Sequence, residues 1–246
     1  MNQSVEFLRF IEQTNKAATA EELFGYLERC LSHLGYDRVV YSFFSDHHFI
    51  NQTSKHGFLR NYPEDWMRYY TEKDYEHIDP VITRIKQRPE PFFWAELDRE
   101  KPLSPKENRV MVEGEEAKLL DGIGLRLYSP YGAIAGCGVA SSSGGMEINR
   151  DRLCLVNAIM QQFHLAYLHL ATTQYSRWGH VTLTKREKEV LSWVMAGKSN
   201  RDIGTILGIS KHGVDHHLRN IFKKLGVASR GVAALRGIQM GLINPE

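Results

Sequence analysis

Apolar positions recur along the chain in two rhythms, one helical and one alternating. After Thr19-Ala-Glu-Glu22, a capping box, they fall at Leu23, Tyr26, Leu27, Cys30 and Leu31 and stop at Gly35, which predicts a helix. Arg38 to Phe44 is a strand-like run of Val, Tyr and Phe. Ser104-Pro-Lys-Glu107 joins a capping box to proline at the first helical position, and the helix it opens is expected to run to about Leu120. Gly124 to Tyr128 and Gly136 to Ser142 read as strands joined in a hairpin around Pro130-Tyr-Gly-Ala133. Asn149 can cap a long helix in which Leu153, Val156, Met160, Phe163, Tyr167 and Leu170 alternate steps of three and four. Such a stripe suits packing on the domain's own sheet or, being narrow, a homodimer seam.

The period fades from Ala171 to His180, which reads as a linker, and three short capped helices follow. Thr184-Lys-Arg-Glu187 opens the first, whose apolar face is Val190, Leu191, Val194 and Met195 and which ends at Gly197. Ser199 opens the second, with Ile203, Ile206 and Leu207 inward and Gly208 as its stop. Ser210 opens the third, with Val214, Leu218, Ile221 and Leu225 inward and Gly226 at its end. A three-residue connection, Gly208-Ile209-Ser210, between short helices is helix-turn-helix spacing. Opposite the third helix's apolar stripe lie Lys211, His212, Asp215, His216, Arg219 and Lys223.

Charge sharpens this division. The 246 residues leave room for two domains, and the net charge of +2 is an average over unlike halves. From residue 176 onward 12 Lys/Arg face 5 Asp/Glu, whereas the first 175 residues hold 19 against 24. A basic helix can enter the major groove, where Arg grips guanine through two bonds and Lys neutralises phosphate, so the C-terminal unit has the footprint of a reader of double-stranded DNA. No apolar run reaches membrane-spanning length, and Glu6, Arg9 and Glu12 stand where a signal peptide would be apolar, so an unexported cytoplasmic protein with no membrane partner is expected. Cys30, Cys137 and Cys154 are widely spaced and are expected to be buried reduced thiols. His212 and His216 lack a third ligand, and no metal is expected.

The run Leu183-Thr-Lys-Arg-Glu-Lys-Glu-Val-Leu191, with Trp193, Gly197-Lys-Ser199, Ile203, Ile209-Ser210, Val214, His217, Asn220-Ile221 and Lys224-Leu225-Gly226-Val227, resembles the DNA-binding domain of LuxR-type transcription factors. The resemblance implies a fourth helix, about Arg230 to Gly241, that packs beside the reading helix and often forms a dimer contact. Two positions depart from the family. Gly213 stands where a polar residue is usual, and Asp215 where relatives often place a DNA contact; it could accept from a cytosine amine or pair with Arg219.

Upstream, Tyr62-x3-Trp66-x3-Tyr70-x8-Asp79-Pro80-x13-Trp94 is similar to the autoinducer-binding domain of the quorum-sensing LuxR-type receptors. Aromatic rings around one carboxylate suit a small pocket for an apolar ligand. The resemblance implies that an N-acyl-homoserine lactone is the ligand, with no cofactor. Trp66 would then donate to the lactone carbonyl, Asp79 accept the amide N–H, Tyr62 bond the acyl carbonyl region and Trp94 pack on the lactone ring. Tyr70 joins this set, and Ser141 would meet the acyl carbonyl or a 3-substituent. The far end of the pocket is expected to be lined by Tyr41 and Phe43, and the family's glycine to be Gly122 or Gly124.

The expected fold is an α+β sensor domain, residues 1–171, with an antiparallel sheet flanked by helices as an α/β/α sandwich. A linker, 172–181, and an all-α four-helix helix-turn-helix domain, 182–246, follow. The expected protein is a regulator and not an enzyme, since no Gly-x-Ser-x-Gly elbow or metal triad accompanies Cys137 or Ser141. It would act as a homodimer on a palindromic promoter element, with RNA polymerase as a further partner if it activates. The alternative ligand is a non-acyl molecule, aryl or plant-derived.

Overall fold

The structure is a computed structural model that describes residues 3–47, 52–129, 133–175 and 181–244. The chain divides into two compact units between residues 176 and 177.

The first unit runs α1 (Gln3–Thr14), α2 (Ala20–Ser32), β1 (Arg38–Phe43), β2 (Lys55–Arg60), α3 (Glu64–Glu72), α4 (Pro80–Gln87), β3 (Phe92–Phe93), α5 (Leu97–Glu100), α6 (Pro105–Glu116), β4 (Leu120–Tyr128), β5 (Ile134–Ser141) and α7 (Arg150–Tyr175). The five strands lie in the order β2-β1-β5-β4-β3, every neighbouring pair antiparallel. Side chains alternate across a strand, and β1 uses this to serve two layers. Val39, Tyr41 and Phe43 join Leu27 and Leu31 of α2 and Val156 and Phe163 of α7 in the main core. Val40 turns the other way, toward Tyr62, Trp66 and Tyr70 of the α3 region and Val110 of α6. Helices therefore cover both faces, as an α/β/α sandwich.

Several elements differ in extent from the sequence pattern. α6 ends at Glu116 rather than near Leu120, because Lys118 adopts a left-handed backbone (φ +61°) and the Leu119 amide bonds back to the Gly114 carbonyl at 3.0 Å. This is a Schellman-type closure with lysine where glycine is usual, so the stop carries no signal in the sequence. β4 accordingly begins at Leu120, not Gly124. The α7 stripe of Leu153, Val156, Met160, Phe163 and Tyr167 is buried in the unit's own core, which removes it as a dimer seam, while Leu170 is only partly buried. α7 continues to Tyr175, so the stretch expected as linker opens helical. Residues 176–180 of that stretch and Pro130–Gly132 of the expected hairpin turn lie outside the described residues. Cys137 is buried, Cys30 half-buried and Cys154 exposed; the expectation of burial fails at Cys154, which sits on the outer side of α7.

The second unit holds α8 (Lys185–Met195), α9 (Asn200–Leu207), α10 (Lys211–Leu225) and α11 (Arg230–Gln239) around Val190, Leu191, Ile203, Val214, Leu218, Ile221, Leu225 and Ala233. Thr184, Ser199, Ser210 and Ser229 cap the four helices, each accepting from a backbone amide three residues on. Gly204 lets α9 close on the following turn, since a Cβ there would lie 2.7 Å from the Ile209 carbonyl oxygen. Glu187 completes the α8 capping box and takes a 2.6 Å bond from Lys224 of α10. Burial acts to raise its pKa, but Lys224 and the Thr184 amide and hydroxyl outweigh this and hold it below the usual range.

Candidate functional site

Two surfaces concentrate chemistry: a cavity inside the first unit and the outer face of α10 in the second.

The cavity lies between the sheet and the layer of α3, α4 and α6. It holds about 570 Å³ of empty space, mouth included, and Tyr62, Trp66, Tyr70, Asp79 and Trp94 all line it. Local sequence explains their convergence. Tyr62, Trp66 and Tyr70 are spaced by four, so the two on α3 share one helical face; the Trp66 and Tyr70 ring centroids are 5.7 Å apart in an edge arrangement. Asp79-Pro80 is an N-cap followed by proline at the first helical position, which fixes the carboxylate at the start of α4. Its Oδ1 accepts from the Val81 amide at 2.7 Å and its Oδ2 from the Tyr70 hydroxyl at 2.6 Å. Burial pushes the Asp79 pKa upward, while Tyr70 and the Val81 and Ile82 amides work against the shift. Carboxylate oxygens have more than one lone pair, so Oδ2 can accept a further N–H from the cavity side.

Trp94 stands in the turn after β3 with its ring laid on Gly122 of β4, where a Cβ would come within 2.1 Å of the indole. Phe92 lies on Gly124 in the same way, with 2.3 Å to a Cβ there. Each of the two candidate glycines thus seats an aromatic ring, and Gly122 is the one beneath Trp94. The Tyr62 hydroxyl and the Trp94 indole nitrogen are buried and have no hydrogen-bond partner. An unpaired buried polar group costs about 1–3 kcal/mol, so a partner supplied from the cavity would be well rewarded at both atoms.

Ser141 is not in the cavity wall. Its hydroxyl accepts from the Ser143 and Gly144 amides, both at 3.3 Å, and so closes the turn after β5. On β5 the cavity is lined by Cys137 and Gly138, and Ser141 lies three residues beyond Gly138 at the strand's end, where its hydroxyl serves the turn. Tyr41 and Phe43 are one step out of register. They pack into the α7 core, where Tyr41 meets Phe163 at 5.2 Å, and it is Val40, Ser42 and Phe44 that line the cavity. The sequence reading missed Ser42, His56 and Gly138. The alternation along β1 carried a signal for Ser42 once its face was known, whereas His56 on short β2 carried none. His56 stacks on Tyr70 at 5.0 Å and its Nδ1 lies 3.1 Å from the Ser42 hydroxyl. Desolvation first, then the nearby Arg60 and Lys86 charges, lower its pKa to about 4.

On α10, Lys211, His212, His216, Arg219 and Lys223 are exposed and share the side opposite the buried stripe. Asp215 is only partly exposed and is engaged elsewhere: its Oδ1 accepts from the Asn200 side-chain amide of α9 at 2.5 Å, not from Arg219. Asn200 also accepts from Arg230 of α11 at 3.3 Å, which links three helices through one amide.

Comparison with known proteins gives the family of both units. Residues 19–169 match the autoinducer binding domain, and residues 181–236 match the bacterial regulatory proteins of the luxR family. The chain belongs to the LuxR family of bacterial regulators. It is 28% identical to the transcriptional activator BjaR1 of Bradyrhizobium diazoefficiens, over 98% of this chain and 97% of that one. It is 32% identical to the transcriptional activator LuxR of Aliivibrio fischeri, over 76% and 74% of the two chains. Its fold matches Escherichia coli SdiA with a TM-score of 0.73 at 24% identity, covering 98% and 97% of the two chains. A second structure, SdiA in complex with octanoyl-rac-glycerol, matches at 0.71 and 25% identity over 99% and 96%. The protein is an autoinducer-binding transcription regulator of the LuxR type, and its relatives are regulators rather than enzymes. Among its described residues no helix is long and apolar enough to cross a membrane.

Proposed function

We propose that this LuxR-type regulator binds an N-acyl-homoserine lactone in the cavity of residues 1–171 and, as a homodimer, reads a palindromic promoter element through α10 of residues 182–246. The observation that carries the ligand reading is the unpartnered buried hydroxyl of Tyr62 in a wall that also holds the Asp79 carboxylate and the Trp66 and Trp94 rings. An acyl lactone has the complementary set: a carbonyl for the Tyr62 hydroxyl, an amide N–H for Asp79, a ring carbonyl for the Trp66 indole and an apolar tail for Val40, Phe44 and Ile85. The complex of SdiA with octanoyl-rac-glycerol indicates that this fold can hold an eight-carbon acyl chain. Support for a dimer comes from α11, where Val232 and Leu235 are 48% and 55% exposed. Two copies of α10 related by a two-fold axis would meet half-sites about one helical turn apart.

The test is enrichment from a random DNA pool by the full-length protein, with and without a panel of lactones. Recovery of an inverted repeat whose yield changes with lactone is the expected result. A site without inverted symmetry would remove the dimer reading, and indifference to every lactone would remove the ligand reading.

A further inference from the structure

Beside the groups assigned above, the cavity wall contains a second polar element. Ser42 of β1 and His56 of β2 both line it, and they are bonded to each other at 3.1 Å through Oγ and Nδ1. The Ser42 oxygen also accepts from the Gly57 amide at 3.0 Å. Their neighbours along the wall, Val40, Phe44, Ile82 and Ile85, are apolar. Bonded to each other, the two polar side chains are tolerated in such a wall.

Counting hydrogens defines what the pair offers. A neutral imidazole carries one N–H and a serine one O–H. Desolvation, Arg60 and Lys86 keep His56 neutral near pH 7. One of the two hydrogens lies in the bond between the residues. The other remains, on Nε2 when serine donates to Nδ1, or on the serine oxygen when Nδ1 donates. In either tautomer one donor stays outside the bond between the two residues, and a ligand oxygen in the cavity can take it. Position follows from Tyr70, whose hydroxyl bonds Asp79 at 2.6 Å and whose ring stacks on His56 at 5.0 Å. Asp79 and His56 thus flank a single ring, so an acyl chain whose amide sits on Asp79 passes His56 within its first few carbons.

We propose that Ser42 and His56 form a specificity subsite that selects an acyl chain bearing an acceptor oxygen, oxo or hydroxyl, near the amide. This rests on the lactone reading above. The same ligand group was expected of Ser141, whose hydroxyl is instead committed to its own turn.

The experiment feeds an expression host an equimolar mixture of N-octanoyl-, N-(3-oxooctanoyl)- and N-(3-hydroxyoctanoyl)-homoserine lactone and quantifies by mass spectrometry what purified full-length protein retains. Wild type should retain an oxygenated chain over the plain one by about ten-fold, since a site built to donate rejects the analogue that cannot accept. Ser42→Ala, and separately His56→Phe, which keeps the stack on Tyr70, should bring that ratio to within about two-fold. The ratio is internal to each sample, and either variant alone suffices if the other does not fold. Lactones retained by wild type without preference, or a preference unchanged in the variants, would overturn the subsite and leave the lactone reading standing. No lactone retained by wild type would overturn both.

Discussion

Asp79 is the residue on which most of the cavity's polar geometry converges, because one carboxylate caps α4, holds the Tyr70 hydroxyl and faces the cavity. Asp79→Asn separates these duties. Asparagine caps a helix as well as aspartate, so the fold should persist, but its NH2 in place of Oδ2 cannot accept a ligand amide. The expected outcome is a loss of lactone response of at least about ten-fold with normal melting of the second unit; equal dose-response curves for mutant and wild type would refute the role. Buried histidines give a second residue-scale expectation. His164 bonds the Tyr41 hydroxyl at 2.7 Å and the Ser129 hydroxyl at 2.8 Å, and burial, with His47, lowers its pKa to about 3. His56 lies near about 4. Both are neutral in the fold, whereas the unfolded chain takes up their protons below the ordinary value of 6.5. The first unit should therefore lose stability as pH falls through that value, and go on losing it until the folded pKa values are reached. The slope is about 1.4 kcal/mol per pH unit for each proton. Melting curves of the full chain between pH 7.5 and 5 measure it, and His164→Gln, which takes up no proton, should remove about half of the slope.

At the scale of elements, helices were legible where caps and apolar period agreed: α2 and the first three helices of the second unit begin at their cap residues, whereas α11 was implied by the family resemblance alone. What the sequence hid were features decided by tertiary geometry. The left-handed Lys118 ends α6 without a glycine, and β1 could not reveal which of its two faces met the cavity. A single step of strand parity moved the cavity lining from Tyr41 and Phe43 to Val40, Ser42 and Phe44. The spaced motif Tyr62, Trp66, Tyr70, Asp79 and Trp94 did come together, because helical spacing and an Asp-Pro cap are local rules, while Ser141 depended on a strand register that the sequence does not encode locally. The helix-turn-helix offers a paired test of close packing. A Cβ at Gly204 meets the Ile209 carbonyl at 2.7 Å, so Gly204→Ala should destabilise the second unit by about 1–3 kcal/mol. At Gly213 the nearest atom is at 3.6 Å, an ordinary contact, and Gly213→Ala should stabilise α10 by up to about 1 kcal/mol. Thermal melts moving in opposite directions are the expected result.

For the whole molecule, the +2 total resolves into an acidic ligand-binding unit and a basic DNA-binding one. An excess of 12 Lys/Arg over 5 Asp/Glu in the last 71 residues makes binding to DNA depend on salt, since each neutralised phosphate adds about −0.9 to the slope of log K against log salt. Lys223→Ala should lower that slope by about one on any sequence. Arg219→Ala should cost about 1–3 kcal/mol on the selected site and relax its specificity. Titrations at several salt concentrations distinguish the two. The central claim is that the cavity of the first unit takes an acyl lactone through Asp79 and its neighbours. Its most direct test is the melting temperature of purified full-length protein as lactone is added. Binding to the folded state alone should raise stability with the logarithm of ligand concentration, by about 2.7 kcal/mol at a hundred times Kd, in wild type and far less in Asp79→Asn. A melting temperature that no lactone moves in wild type, or that moves equally in the two proteins, would contradict the account.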